Sequence, residues 1–288
     1  MKALITGAVG QVGGALLRTV PSGVRALGVD HHSLDICNAS ALARILESEP
    51  VDILINTAAF TAVDQAESNR EQAFAVNAHA VGLLAQACRK AQVRLIHIST
   101  DFVFDGAQGT PYPPDAATNP LSVYGASKRE GERLIAAVAG LDYVVIRTGW
   151  VYASAGRNFV LTMLRLFQER SRVNVVCDQI GTPTSAVSLA RCIWLAAANH
   201  SCPPMLHFSD AGVASWYDFA LAIYEEAQAL GMLRHAVEIA PITTDQYPTP
   251  AVRPRYSVLD KAQTWRQLDM VPEHWRHALR SVLAEVHS

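Results

Sequence analysis

The residues best equipped for chemistry are Tyr124 and Lys128, the two ends of Tyr124-Gly125-Ala126-Ser127-Lys128. On a helix, positions four apart share a face, so a phenol and an ammonium would stand side by side. A free phenol ionises near ~10 and a lysine near ~10.4. A fixed cation a few ångströms away favours phenolate and lowers the tyrosine pKa. A tyrosine so placed can pass a proton to or from a carbonyl oxygen at neutral pH. The lysine keeps further donors for a sugar hydroxyl. Spacing alone discriminates poorly: four lysines and eight tyrosines give a chance Tyr-x-x-x-Lys in roughly one such sequence in nine. The weight of the pair therefore depends on the elements around it.

Those elements begin with Lys2-Ala3-Leu4-Ile5-Thr6, a short buried strand by its apolar run. It leads into Gly7-Ala8-Val9-Gly10-Gln11-Val12-Gly13 and then the helical pattern Ala15-Leu16-Leu17. Glycines three apart between strand and helix let the backbone approach a pyrophosphate, which then faces the helix N-terminus. The spacing is G-x-x-G-x-x-G rather than G-x-G-x-x-G, and its strand–helix context favours a nucleotide site over a plain turn. A second strand, 24–29, ends at Asp30, which can accept from ribose hydroxyls or act only as a loop turn residue. Asp35 could reach an adenine amino group, while His31 and His32 read as solvated loop residues. The third strand, 51–56, runs into Thr57-Ala58-Ala59-Phe60, small residues where a cofactor would cross the sheet. The fourth, 94–98, contains His97, read as a satisfied core histidine, and delivers Ser99-Thr100-Asp101. Those hydroxyls either face the crevice to bind a carbonyl or form a cap or turn. Ser122 is the expected N-cap of the Tyr124 helix, and a fifth strand covers 143–147. Strand–helix alternation predicts an α/β fold with a doubly wound parallel sheet. Thr100 and Tyr124 then face one crevice.

The net charge of −2 gives no field for a polyanion, so an anionic ligand must meet local arginines or helix N-termini. Cys37, Cys88, Cys177, Cys192 and Cys202 are odd in number and lack a Cys-x-x-Cys, which argues against a disulfide framework or zinc site. A reducing cytoplasm fits this cysteine usage. No charged leader precedes the first strand, and no apolar run is long enough to span a membrane.

At this point the chain resembles the extended short-chain dehydrogenase/reductase superfamily, through Thr6-Gly7-x-x-Gly10-x-x-Gly13 and Tyr124-x-x-x-Lys128. Longer strings narrow the resemblance to the dTDP-4-dehydrorhamnose reductase family. They are Ala58-Ala59-Phe60-Thr61-Ala62-Val63-Asp64, Ser99-Thr100-Asp101-Phe102-Val103-Phe104-Asp105-Gly106 and Arg147-Thr148-Gly149-Trp150-Val151-Tyr152. Further on come Asp178-Gln179-Ile180-Gly181-Thr182-Pro183-Thr184 and Tyr247-Pro248-Thr249-Pro250-Ala251-Val252-Arg253-Pro254. The resemblance spans essentially the whole chain. It departs at Phe60 and Phe102, where the family often has an imidazole or phenol.

The resemblance implies reduction of the C4 ketone of dTDP-4-dehydro-β-L-rhamnose by NADH or NADPH. Tyr124 would supply the proton, Lys128 would lower the phenol pKa and hold the nicotinamide ribose, and Thr100 would bond the carbonyl oxygen. Gly7, Gly10, Gln11, Val12, Gly13, Asp30, Asp35, Ile36, Ala58, Ala59 and Phe60 would join Tyr124 and Lys128 around the cofactor. Thr100, Asp101, Trp150, Gln179 and Arg253 would border the substrate. From its own setting between proline turns, Arg253 is either a fork for a diphosphate or an arginine tying loops together. Residues 1–150 are expected to bind NAD(P), and 151–288 to form a mainly helical substrate-binding region with some segments returning to the first. Helices are expected at 158–167, 185–198, 216–230 and 273–286, with strands at 173–176 and 206–208. Trp194, Trp216, Trp265 and Trp275 read as core.

Two other readings have a place on this scaffold. One is another nucleotide-sugar enzyme: a different 4-ketoreductase, an epimerase or a 4,6-dehydratase. Dehydratases carry Asp-Glu after the threonine, whereas this chain has Asp101-Phe102. The other is a non-catalytic regulatory subunit similar to the methionine adenosyltransferase accessory protein, against which Thr100, Tyr124 and Lys128 count. Some members of the family dimerise through magnesium held by glutamates. The matching stretches, Gly13-Gly14-Ala15-Leu16 and Pro183-Thr184-Ser185-Ala186-Val187-Ser188, contain no acid. The expectation is no metal, a monomer or metal-independent homodimer, and no nucleic-acid or membrane partner.

Overall fold

A computed structural model describes residues 1–287. The first half alternates β1 (Lys2–Thr6), α1 (Gln11–Arg18), β2 (Arg25–Val29), α2 (Ala39–Ser48), β3 (Ile53–Asn56), α3 (Val63–Ser68), α4 (Arg70–Phe74), α5 (Ala80–Ala91), β4 (Arg94–Thr100), α6 (Val123–Ala136) and β5 (Tyr143–Thr148). A π-helical turn, Ala75–His79, joins α4 to α5. The second half has β6 (Val151–Tyr152), α7 (Phe159–Glu169), β7 (Arg172–Val176), β8 (Ile180–Gly181), β9 (Thr184–Ser185), α8 (Ala186–Ala198), β10 (Met205–His207), β11 (Ala214–Ser215), α9 (Trp216–Ala229), β12 (Glu238–Ile242), α10 (Ala262–Gln267) and α11 (Trp275–His287).

β1, β3, β4 and β5 are almost continuously buried, as a parallel sheet covered on both faces requires. Successive side chains divide between two cores. Ala3 and Ile5 pack with Leu16, Leu189 and Ile193 under α1 and α8, whereas Leu4 packs with Leu42, Leu84 and Ile135 under α2, α5 and α6. The sheet order is β10-β5-β4-β3-β1-β2, with every pair parallel. The order reverses between β1 and β3, and this switch point opens a crevice at the carboxyl ends of the strands. Register places Thr6 beside Asn56, Asn56 beside His97, and Thr100 beside Thr148.

A third core lies among α7, α9 and α11, built on Phe167, Phe219, Ile223, Leu279 and Leu283. β10 is the segment of the second half that returns to the first, and β12 is a strand that the sequence does not announce. β10 joins the main sheet at β5, because Leu206 is fully buried there and the backbone of β5 supplies its bonds. β12 pairs in parallel with β7, but its half-exposed pattern and Pro241 give no strand signal. Among the described residues no helix is long and apolar enough to cross a membrane.

Candidate active site

A cavity of about 950 Å³ follows the carboxyl ends of the strands. Gly7, Val9, Gly10, Gln11 and Val12 form part of its lining. Gly7 has φ +73°, and a Cβ there would lie 2.7 Å from the Ala58 amide nitrogen, so only glycine fits. Gly10 N–H donates to the Gly7 carbonyl at 2.9 Å, closing the loop. Gly13 lies outside the lining. A Cβ on it would overlap the Gly7 carbonyl, so its role is to let α1 approach the loop. Ala58 and Ala59 line the cavity, but Phe60 does not; Asn77 engages its backbone, accepting from its N–H at 2.8 Å and donating to its carbonyl at 3.0 Å. The same Asn77 donates to Ser127 Oγ at 3.0 Å, fixing this loop to α6.

Asp30, Asp35 and Ile36 line the cavity close to the glycine loop, where Ala8 N–H donates to the Val29 carbonyl at 3.1 Å, together with His31 at the exposed rim. Asp30 Oδ1 accepts from Ser33 Oγ at 2.8 Å, Ser33 N at 2.9 Å and His32 N at 3.1 Å. The Ser33 bonds hold its carboxyl below the usual range. Asp35 Oδ1 accepts from Cys37 N at 2.9 Å, turning toward its own loop. A glycine cradle at a helix start, an anchored carboxylate and an elongated cavity together fit a dinucleotide.

Ser122 Oγ caps α6 by accepting from Gly125 N at 3.1 Å, setting Tyr124 in the first turn. Tyr124, Lys128, Thr100 and Asp101 all line the cavity. Burial pushes the Tyr124 phenol up to about 12, opposed by a bond with Thr100 and reinforced by the Asp101 charge. Thr100 Oγ1 donates to Asp101 Oδ1 at 3.0 Å and accepts from Phe102 N at 3.1 Å. Burial raises the Asp101 carboxyl to about 6, against bonds from Ser257 and Thr100.

Lys128 departs from expectation. Its Nζ donates to the Ile98 carbonyl at 2.7 Å and lies 3.2 Å from His97 Nε2. Burial brings it down to about 8, against an upward pull from Glu132. The lysine turns to β4, and the phenol is raised by its surroundings rather than lowered by a cation. His97 is itself buried and bonded, with its Nε2 on the lysine that lines the cavity.

Trp150 has φ +52°, rare for an aromatic residue and a mark of local strain at a site. Gly181 admits its indole: a Cβ there would lie 2.5 Å from Trp150 Cε2. The indole stacks on Trp216, with centroids 3.5 Å apart and planes within 4°. Trp216 is therefore a cavity residue rather than core. It continues the stripe of Phe219 and Ile223 one turn past the core's edge, directly after the cap Ser215. Trp194 and Trp275 are buried, and Trp265 is half-buried.

Arg253 lines the cavity while pairing with Asp64 through two bonds, Nη1–Oδ1 at 3.0 Å and Nη2–Oδ2 at 2.8 Å. It also donates to Thr249 Oγ1 at 2.6 Å, so it ties its loop to α3. Gln179 is buried outside the lining, donating to Thr244 Oγ1 at 3.2 Å, and does not reach the cavity. Arg157 and Trp216 line the cavity and Asp64 supports it, none of them found from residue types.

Beneath the site, Glu132 and Arg147 form a buried pair, with Nε–Oε1 at 2.9 Å and Nη2–Oε2 at 2.7 Å. Ser99 Oγ donates to Glu132 Oε1 at 2.6 Å. This links α6, β4 and β5 directly under Thr100. The acid four residues after Lys128 on the buried face of the helix was the available signal. Among the described residues no group of three or more His, Cys, Asp or Glu could hold a metal ion.

Comparison with known proteins adds the following. Residues 1–288 match the family model described as RmlD substrate binding domain. A dTDP-4-dehydrorhamnose reductase from Burkholderia thailandensis is 40% identical over 289 residues, covering 97% of each chain. A crystal structure of a dTDP-4-dehydrorhamnose reductase from Clostridium acetobutylicum superposes with a TM-score of 0.93 at 35% identity, covering 100% of both chains. That of the Bacillus anthracis enzyme in complex with NADP gives 0.92 at 32% identity, covering 99% of both.

Proposed function

The chain belongs to the RmlD substrate binding domain family, and from that membership we propose how its residues carry out the family's reaction. The protein is an NAD(P)H-dependent oxidoreductase that reduces the C4 ketone of dTDP-4-dehydrorhamnose to dTDP-L-rhamnose, the last step of dTDP-rhamnose synthesis. NAD(P)H, when bound, supplies the hydride.

The chain supplies orientation and the proton. Gly7, Gly10 and the start of α1 would hold the pyrophosphate, and Asp30 the adenosine ribose. Thr100 would turn its one hydroxyl proton from Asp101 to the ketone oxygen as the oxygen's charge grows, which stabilises the transition state more than the ground state. Tyr124 gives its proton to that oxygen. A phenol raised to about 12 remains protonated at neutral pH and is ready to donate, since a secondary alkoxide is the stronger base. Lys128 would hold the ribose beside the ketone. Trp150 and Trp216 supply an apolar wall for the sugar, and Arg253, oriented by Asp64, faces the diphosphate. Residues 1–150 would thus serve the cofactor and 151–288 the sugar nucleotide. We place the reaction in the cytoplasm and read the protein as a monomer or metal-independent homodimer; sedimentation with and without EDTA tests the latter.

The observation that carries this reading is the convergence of Thr100, Tyr124 and Lys128 on the cavity that also contains the glycine cradle. The test is absorbance of the reduced nicotinamide with purified protein. Stoichiometric oxidation is expected with dTDP-4-dehydrorhamnose and none with a free 4-keto sugar. Equal turnover of the free sugar would refute use of the nucleotide for orientation.

A further inference from the structure

The lysine and arginine side chains that line the cavity are Lys128, Arg157 and Arg253. Lys128 Nζ donates to the Ile98 carbonyl at 2.7 Å. Arg253 is committed to Asp64 through bonds of 3.0 and 2.8 Å. Arg157 is exposed, and among the described residues none forms a hydrogen bond or ion pair with its guanidinium.

The backbone that carries Arg157 is fastened to the start of α1. Gln11, the first residue of that helix, donates from Nε2 to the Arg157 carbonyl at 3.3 Å. Its Oε1 accepts from Asn158 Nδ2 at 3.0 Å. Asn158 is tied in turn to its own segment. Its Nδ2 also donates to the Ala153 carbonyl at 2.9 Å, and its Oδ1 accepts from Leu161 N at 3.0 Å, capping α7. Gly156, with φ +84°, turns the chain closely past Gln11: a Cβ on it would lie 3.3 Å from Gln11 Cγ. Arg157 therefore starts from a fixed point beside the first turn of α1.

The charge available at that helix start indicates what Arg157 meets. A dinucleotide pyrophosphate bears a negative charge on each phosphate. The unpaired N–H groups of α1 offset about half a charge. The first turn, Gln11 to Gly14, contains no cation. Lys128 is the one lysine or arginine that residues 1–150 contribute to the lining, and it turns to β4. Most of the pyrophosphate charge is thus left for a group from outside this region. A guanidinium supplies a full charge and a planar fork that matches phosphate oxygens. Arg253 is held on the α3 side by Asp64, whereas Arg157 is joined to α1.

We infer that Arg157 is a cofactor-binding residue: its guanidinium takes the pyrophosphate cradled by the glycine loop and α1, and Arg253 is left for the sugar nucleotide. This rests on the dinucleotide reading of the cavity given above, and adds a residue of 151–288 to the cofactor's contacts.

Titration calorimetry with NADH, ADP-ribose and dTDP tests it without turnover. ADP-ribose carries the diphosphate of the cofactor, and dTDP that of the substrate. Arg157→Gln should weaken NADH and ADP-ribose by about 5–10-fold, the worth of a charge-assisted contact, and leave dTDP unchanged. Arg157→Lys should recover part of the loss, since an ammonium keeps the charge without the fork. Added salt should weaken ADP-ribose more steeply in the wild type than in Arg157→Gln. The free variant should melt with the wild type, because the side chain replaced is exposed and unpaired, so lost affinity is not lost fold. On the unaltered protein, ADP-ribose should protect Arg157 from phenylglyoxal and dTDP should not, as peptide mass spectrometry would read. Unchanged ADP-ribose affinity in Arg157→Gln, an equal loss for dTDP, or protection by dTDP alone overturns the inference. A wild type that binds no ADP-ribose refutes the dinucleotide reading itself and the inference with it, so the two failures are distinguishable.

Discussion

Replacing Glu132 by alanine should show how far the fold depends on the pair beneath the site. Both Glu132 and Arg147 have side chains almost wholly enclosed, at 2% and 4% exposure. Removing one partner of such a pair leaves the other charge buried and costs about 3–5 kcal/mol. Ser99 Oγ also loses its acceptor. Unfolding entropy of about 2.1 cal/mol/K per residue gives about 0.6 kcal/mol/K for a cooperative chain of this size. The loss then lowers Tm by about 5–8 °C. Glu132→Gln keeps an acceptor for both neighbours and should fall between the two. Glu132→Leu with Arg147→Met replaces both charges by apolar groups, and its stability should exceed that of either single variant. Calorimetry and urea denaturation compare the wild type with these variants and with the single substitutions Glu132→Leu and Arg147→Met. Single-variant losses below about 1 kcal/mol, or a double variant whose loss is the sum of the singles, would refute a coupled buried pair.

Tyr124→Phe should lower kcat by ~10²-fold or more with NADPH binding intact, and near wild-type turnover would remove Tyr124 from the proton step. The wild type should use NADH at least as well as NADPH, because the pinned Asp30 carboxylate repels a 2′-phosphate; Asp30→Ala should move the kcat/KM ratio toward NADPH by roughly 10-fold, and an unmoved ratio refutes that assignment. Asp101, held up at about 6, binds its proton more tightly folded than unfolded, so it subtracts stability as pH rises from about 4 to 6. Asp101→Asn should therefore gain on the wild type across that window, on the order of 2–3 kcal/mol, and a difference between the two that does not vary with pH in urea titrations counts against a buried carboxyl.

Much of this was legible in the chain because it is locally encoded. The apolar runs of β1, β3, β4 and β5, the glycines after β1 and the Ser122 cap each declare themselves within a few residues. What was hidden depends on register and distance. The Asn56–His97 contact exists because β3 and β4 pair in that frame, and Asp64 meets Arg253 across 189 residues. Trp216 shares a periodicity with true core residues, and only the position of the core's edge separates them. Gln179 lay in a family-like string, yet its amide is occupied by Thr244. The expected effect of Lys128 on Tyr124 followed from helical spacing and from the resemblance, neither of which shows the Ile98 and His97 partners that β4 offers Lys128.

The place of β10 in the main sheet has a consequence for synthesis. When residue 148 leaves the ribosome, β5 is an open edge, and its cover at 205–207 is still some sixty residues away. At about 5–20 residues per second, that edge stays uncovered for about 3–12 s. Val145 N–H, which later donates to the Pro204 carbonyl at 2.8 Å, then has only water or another chain to meet. An apolar edge left open in this way is a template for intermolecular pairing. A fragment ending at residue 150 should consequently self-associate, as light scattering would reveal, while one extended past 208 should not. The nascent chain thus has a period of exposure written into its strand order, and its yield in a cell depends on how that interval is shielded.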